Sequence, residues 1–262
     1  MNGSEETHQG EKQAKVAENR EMMIAKWRSD MRQIDNAVVN LYHGRSVYKR
    51  LFAIVGANPR IQKGNPLYEW LQKVYAVDAS TAIRRLMDEG RHNDVISLAS
   101  LVRKMKAHED VITREWFVSQ CSCPHSRPGE WDRLFDELVG EGRNTIDGEA
   151  LGKRVCEIKR VSKPVLEYVD KLVAHHDKKP PSKLPTWSEL DGVIDAVGEL
   201  FDHMCLLINQ HGAGDLRLTE AFRWEQLFEE PWIVGNYPWR AGEKVGGQVA
   251  DTSCDGREDE VD

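Results

Sequence analysis

A chain of 262 residues with 40% hydrophobic content can fill one large core or two small ones. No run approaches the roughly 20 apolar residues of a membrane span, and Met1 to Glu21 is polar and charged rather than signal-like; the expectation is a cytoplasmic protein with no membrane role. The five cysteines, Cys121, Cys123, Cys156, Cys205 and Cys254, are odd in number and scattered, as reduced thiols are.

The formal charge of -7 argues against a nucleic-acid partner, but its distribution does not. Leu41 to Asp110 holds 12 Lys and Arg against 7 Asp and Glu, and Lys153 to Lys183 holds 9 against 4. Ala241 to Asp262 holds 7 acidic and 2 basic residues with glycines and no aromatics, the composition of a disordered, solvated tail. The body is therefore less acidic than the whole, which leaves room for a local basic surface. The organisation expected is a flexible N-terminus over 1–18, one helical domain over 19–240 and a disordered acidic tail over 241–262.

In chain order, Met23, Trp27, Met31, Ile34, Val38 and Leu41 recur at spacings of four and three, predicting an amphipathic helix that Gly44 ends. A second helix carries Val47, Leu51, Ile54 and Val55 and stops at Gly56-Ala57-Asn58-Pro59. A third starts with Asn65 as cap and Pro66 in the first helical position, burying Leu67, Trp70, Leu71, Val74 and Val77 before charges (Asp78, Arg84, Arg85, Asp88) enter ahead of Gly90. Ser97 caps the next helix, with Leu98, Leu101, Val102 and Met105 inside. A poorly patterned connection then holds Trp116, Phe117 and the Cys121-Ser122-Cys123-Pro124-His125 turn, followed by a helix with Trp131, Leu134, Phe135 and Leu138 that ends near Gly140.

Leu151, Val155, Ile158, Val165, Val169 and Leu172 sketch a long helix that Pro164 must kink or split, since the ring removes a hydrogen bond and clashes with the preceding turn. After Lys178-Lys179-Pro180-Pro181, Thr186-Trp187-Ser188-Glu189 reads as a capping box. Leu190 to Ile208 then gives the strongest helical stripe, closed by Gly212. Phe222, Trp224, Leu227, Phe228, Trp232 and Trp239 suggest a terminal segment packing its aromatics on a bundle. No period-two strand, internal repeat or glycine-rich phosphate loop is found. The fold class is all-α.

Three stretches offer chemistry. Cys121, Cys123 and His125 invite a zinc reading, but a structural site needs four ligands in two short pairs, and one pair with a one-residue gap reads as a plain loop; no metal is expected. Arg84, Arg85 and Asp88, with Arg91 and His92 beyond, offer planar guanidinium forks for phosphate, or charges that pair among themselves. The stretch from Tyr168 to Asp177 places Tyr168, Lys171 or Leu172, and His175 on one helical face, with His176 beside them. A histidine there can move a proton near neutrality and Lys171 can hold a phosphoryl charge; the same cations in a last helical turn also simply complement the macrodipole.

Lys171-Leu172-Val173-Ala174-His175-His176-Asp177 resembles the motif region of HEPN domains (higher eukaryotes and prokaryotes nucleotide-binding), where an arginine and a polar residue precede a histidine in a string like R-N-K-x-x-A-H. Ala82 to Asp88, then Ile96-Ser97-Leu98 and Leu101-Val102, look like the abortive-infection AbiU-type branch. The Thr186 helix and the Trp224 to Trp232 segment are similar to it too, so the likeness spans most of Asn19 to Trp239. The resemblance implies a helical bundle, often a homodimer, and in active members a metal-independent RNase that needs no cofactor. There the arginine and histidine of two facing subunits hold the scissile phosphate while the ribose 2'-hydroxyl attacks it.

Carried over by position, His175 takes the family histidine, Asp170 the polar position and Val169 the arginine position. Valine cannot hold a phosphate, so either Lys171, Arg84 or Arg85 substitutes, or this chain binds without cutting. The expected catalytic set is His175, Lys171 and Asp170, and the expected binding set is Arg84, Arg85, Asp88, Tyr168 and His176. The functional expectation is an abortive-infection or toxin-type protein acting on RNA, in phage defence or beside an antitoxin or other defence partner. The alternative is a non-catalytic module binding RNA, a nucleotide or a protein.

Overall fold

In the computed structural model, the described residues are 3–59, 61, 66–90, 95–120, 127, 129–174, 183–214 and 224–229, the side chains of 3–13 and 172–174 excepted. Every regular element among them is helical, with a single isolated bridge between Thr113 and Thr145. None of their helices is long and apolar enough to cross a membrane. The chain divides into a unit over 1–220 and a second over 221–262.

Helix α1 runs unbroken from Gly3 to Ala57. It begins well before the expected start near Met23, and Gly44 does not end it. A helical glycine costs about 1 kcal/mol relative to alanine, which the contacts on either side of Gly44 outweigh. The Tyr42 hydroxyl donates to the Ile194 carbonyl at 3.3 Å, and Arg45 meets Asp195 at 2.7 Å. Trp27, Met31, Ile34, Val38 and Leu41 are buried as their spacing predicts, while at the start of the stripe Ile24 is buried and the expected Met23 is only partly so.

Helix α2 (Pro66–Leu86) starts at the expected proline, while Asn65 lies outside the described residues. Its buried face is not the expected one. Tyr75, Ala79, Ile83 and Leu86 point inward, whereas Leu67, Trp70 and Val74 are exposed. The register follows from Tyr75, whose ring stacks on Tyr48 of α1 at 4.2 Å between centroids. Turning the helix to bury Trp70 would break that stack.

Helix α3 (Leu98–Lys106) is capped by Ser97, whose side chain accepts from the Ser100 N–H. The connection after it is more ordered than its pattern suggests. A 3-10 turn (Glu109–Val111) leads into α4 (Arg114–Gln120), which buries Trp116 and Phe117. Arg114 holds this region together. Its guanidinium lies 5.0 Å from the Phe135 ring centre, pairs with Asp136, and donates to the Asp132 carbonyl at 3.1 Å and the Arg143 carbonyl at 2.8 Å. Helix α5 (Glu130–Val139) ends at Gly140 as expected, with φ 108° there.

The long C-terminal half-pattern splits in two at the proline. Helix α6 (Gly148–Val161) and α7 (Lys163–Tyr168) meet at Ser162, which is buried. Its N–H and hydroxyl both donate to the Ile158 carbonyl, at 2.8 and 2.5 Å. Helix α8 (Trp187–Asn209) bears the most continuous buried stripe, from Leu190 to Ile208. Both halves of its capping box are present: Thr186 Oγ1 accepts from the Glu189 N–H at 3.2 Å, and Glu189 Oε2 from the Thr186 N–H at 2.8 Å. Lys183 Nζ at 2.7 Å first, and then the Thr186 N–H and hydroxyl donating to the same carboxylate, draw the Glu189 pKa down to about 2. The helix stops at Gln210, in the left-handed region at φ 58°, rather than at Gly212. The core lies where α8 packs against α1, α2, α5 and α6 while α3 crosses α6.

In the second unit, residues 224–229 are described. Trp224–Phe228 forms a 3-10 turn in which those two rings meet edge to face at 6.0 Å. Phe222, Trp232, Trp239 and the acidic tail lie outside the described residues.

Candidate functional site

Helix α7 does not continue as an α-helix into the motif. From Val169 to Ala174 the chain winds as a π-helix, with i to i+5 hydrogen bonds that are uncommon and tend to occur at functional sites. The spacing of three and four that defines a face in an α-helix therefore no longer applies along this segment. Tyr168 ends α7 half-buried, and burial pushes its hydroxyl pKa up. Val169 is buried at 3% exposure, Asp170 is exposed and Lys171 is half-buried.

The valine in the arginine position is thus part of the core. A longer, charged side chain there would need another exit to water. Next to it, Asp170 Oδ1 accepts from Arg84 Nε at 2.6 Å. Both side chains are about half exposed, so the pair itself adds at most about 1 kcal/mol to stability. Its geometric effect is larger, because it brings a guanidinium from the last turn of α2 to the motif helix. The other two guanidinium nitrogens of Arg84 have no partner among the described residues.

The remaining candidates sit around this pair. Arg85 is exposed at the same end of α2. Asp88 shapes the following turn instead, its carboxylate accepting from the Gly90 N–H at 2.9 Å and its carbonyl accepting from the Ser97 hydroxyl. One residue on, Glu89 meets Lys159 of α6 at 2.6 Å, tying that turn to the helix before the motif. His175, His176 and Asp177 lie outside the described residues, as do Arg91, His92 and the Cys121 to His125 turn. The structure thus joins Asp170 to Arg84 and leaves the histidines unplaced.

Sequence reasoning singled out Arg84 and Asp170 but had no means of pairing them. They are 86 positions apart, and only the packing of α2 on the α7 and π segments makes them neighbours.

The family model described as HEPN AbiU2 matches residues 60–227, which takes in α2 to α8, the π segment and the Arg84–Asp170 pair. The chain belongs to the HEPN AbiU2 family. No curated protein and no solved structure matches it. The AbiU2 match begins after α1, so more than fifty residues of helix that pack on α2 and α8 precede the matched region.

Proposed function

We propose that this AbiU2-type HEPN protein acts on RNA at the π segment, as an abortive-infection ribonuclease of phage defence. Arg84 stands in for the arginine that Val169 replaces. The observation supporting this is the 2.6 Å contact from Arg84 to Asp170, which puts beside the motif a guanidinium whose other two nitrogens have no partner among the described residues. In the reaction, the ribose 2'-oxygen bonds to phosphorus as the phosphorus–5'-oxygen bond breaks, leaving a cyclic phosphate and a 5'-hydroxyl. His175 moves the proton, while Arg84 and Lys171 hold the phosphate charge. No metal takes part. A second copy of the chain faces the first across this segment and completes the site.

The test is incubation of the purified homodimer with total RNA in the presence of a chelator. Cleavage by the wild type is expected, with a loss of 100-fold or more for His175→Ala and a smaller loss for Arg84→Ala. Equal cleavage by all three proteins sinks the assignment.

A second reading is favoured by the same pair seen from the other side. Asp170 holds a negative charge 2.6 Å from Arg84 and repels an RNA phosphate, which suits a module that binds RNA, a nucleotide or an antitoxin protein without cutting. Stable binding with intact RNA and undisturbed growth on overexpression decides for that reading.

A further inference from the structure

Helix α2 has two apolar faces, and the fold of one chain uses only one of them. Tyr75, Ala79, Ile83 and Leu86 turn into the core. On the opposite side, at about 100° of turn per residue, Leu67 (53% exposed), Trp70 (58%) and Val74 (43%) stand open to solvent, followed by the half-buried Val77. Their spacings of three and four keep them on one stripe. Single exposed apolar residues are ordinary on a protein surface, but a contiguous row that includes a tryptophan marks an interaction face.

The charges beside this row say what it fits. In the seam of a coiled coil, Leu67 and Val74 take a positions and Trp70 and Val77 take d positions. Lys73 then falls at g and Asp78 at the next e, on opposite flanks of the row. Both are exposed, and neither has an ion-pair partner among the described residues. Two copies of the helix running parallel and in register set g of one against e of the other, so Lys73 meets Asp78 of the partner subunit, twice about the two-fold axis. An antiparallel pair sets g against g and e against e, which keeps these two charges apart. The face is thus complementary to itself, as an isologous contact requires.

The same frame runs on to Thr81 and then Arg84 at the next a and d positions. Arg84 is the residue that holds Asp170 at 2.6 Å. A parallel pair therefore brings the Arg84 of both copies to one level of the seam, where an anion between the two guanidinium groups relieves their repulsion.

We propose that α2 packs in parallel on α2 of a second copy through Leu67, Trp70, Val74 and Val77, with each Lys73 on the partner's Asp78. This rests on the two-copy RNA reading above and names the face through which the second copy is seated. From Leu67 to Val77 the seam is about 15 Å long, so the association depends on concentration.

The experiment is sedimentation velocity of the full-length protein over a wide range of concentration, with thermal melts to show that each variant is folded. The wild type is expected to dimerise. Trp70→Asp weakens the dimer about 30-fold or more. Lys73→Asp weakens it about 3- to 30-fold, and adding Asp78→Lys restores it. Leu67→Cys and Val74→Cys each crosslink to their own copy in the partner on oxidation, beyond the level of the wild type, because both residues face themselves across a parallel seam. A monomer at every concentration overturns the seam and the composite site together. A dimer that is indifferent to Trp70→Asp and Lys73→Asp overturns the seam alone, and the RNA reading stands if that dimer still cleaves. Failure of the charge swap to restore association, or of either cysteine to crosslink, overturns the parallel pairing. A dimer that responds as expected but leaves total RNA intact upholds the seam and sinks the ribonuclease reading.

Discussion

Replacing Gly198 by alanine tests the closest approach between α8 and α1. A Cβ at Gly198 would stand 2.0 Å from the Tyr42 hydroxyl oxygen and under 3.0 Å from two ring carbons, at 2.7 and 2.8 Å. The ring cannot simply swing aside, because Tyr42 is buried against the Arg45 guanidinium and its hydroxyl is bonded to Ile194. Forcing a methyl group into such packing costs about 1–3 kcal/mol, and the hydrogen bond adds about 1 kcal/mol if it is lost. Against this, alanine is favoured over glycine inside a helix by about 0.5–1 kcal/mol. The balance is a destabilisation of about 1–3 kcal/mol, or a fall of about 2–8 °C in Tm for a chain of this size. Thermal and urea unfolding of Gly198→Ala measure it. Adding Tyr42→Phe removes the 2.0 Å contact but leaves those at 2.7 and 2.8 Å, so the double variant recovers part of the loss and no more. A Gly198→Ala protein as stable as the wild type, or more so, would mean that α1 and α8 are not this close and would refute the reasoning.

Other perturbations address other joints of the fold. Gly148→Ala is expected to cost more than Gly198→Ala, since its Cβ would meet the Lys106 Cα at 2.6 Å and backbone cannot rotate away as a side chain does; the same melts check the order of the two. Buried Asp30 meets the part-buried Lys104 at 2.8 Å between α1 and α3, so Asp30→Ala leaves a part-buried ammonium without that carboxylate and costs about 1–3 kcal/mol, some of it recovered when Lys104→Met is added. Burial first, and then Arg154, lowers the His203 pKa to about 4 from 6.5, so the unfolded chain takes up a proton between those values while the folded one does not. Stability is therefore full above about pH 6.5 and falls by about 1–3 kcal/mol as pH drops toward 4, allowing for the partial exposure of the ring; His203→Leu removes that part of the slope in urea titrations from pH 7 to 4.5. Thr186→Ala breaks the capping box of α8 and lowers stability by about 1 kcal/mol.

Helix positions were legible where a local rule acts alone. The Ser97 cap, the Pro66 start, the break at Pro164, the Gly140 stop and the Thr186 capping box all depend on backbone groups within a few residues, and each is found in place. The errors arose where a distant contact overrules a local preference. Gly44 fails to stop α1 because Tyr42 and Arg45 are held by α8. The α2 face is turned by Tyr75 stacking on Tyr48, and α4 is ordered by Arg114 reaching Asp132, Asp136 and Arg143.

The candidate site divides along the same line. By itself the sequence determined the helical class, the string from Lys171 to Asp177 and the absence of an arginine at Val169, because residue identity and short-range spacing are written in the chain. Only the tertiary structure decided that Val169 is buried, that the motif helix winds as a π-helix, and that Arg84 reaches Asp170 across 86 residues. Those outcomes depend on how α2 packs against the motif helix, and packing is a property of the whole core rather than of any one segment.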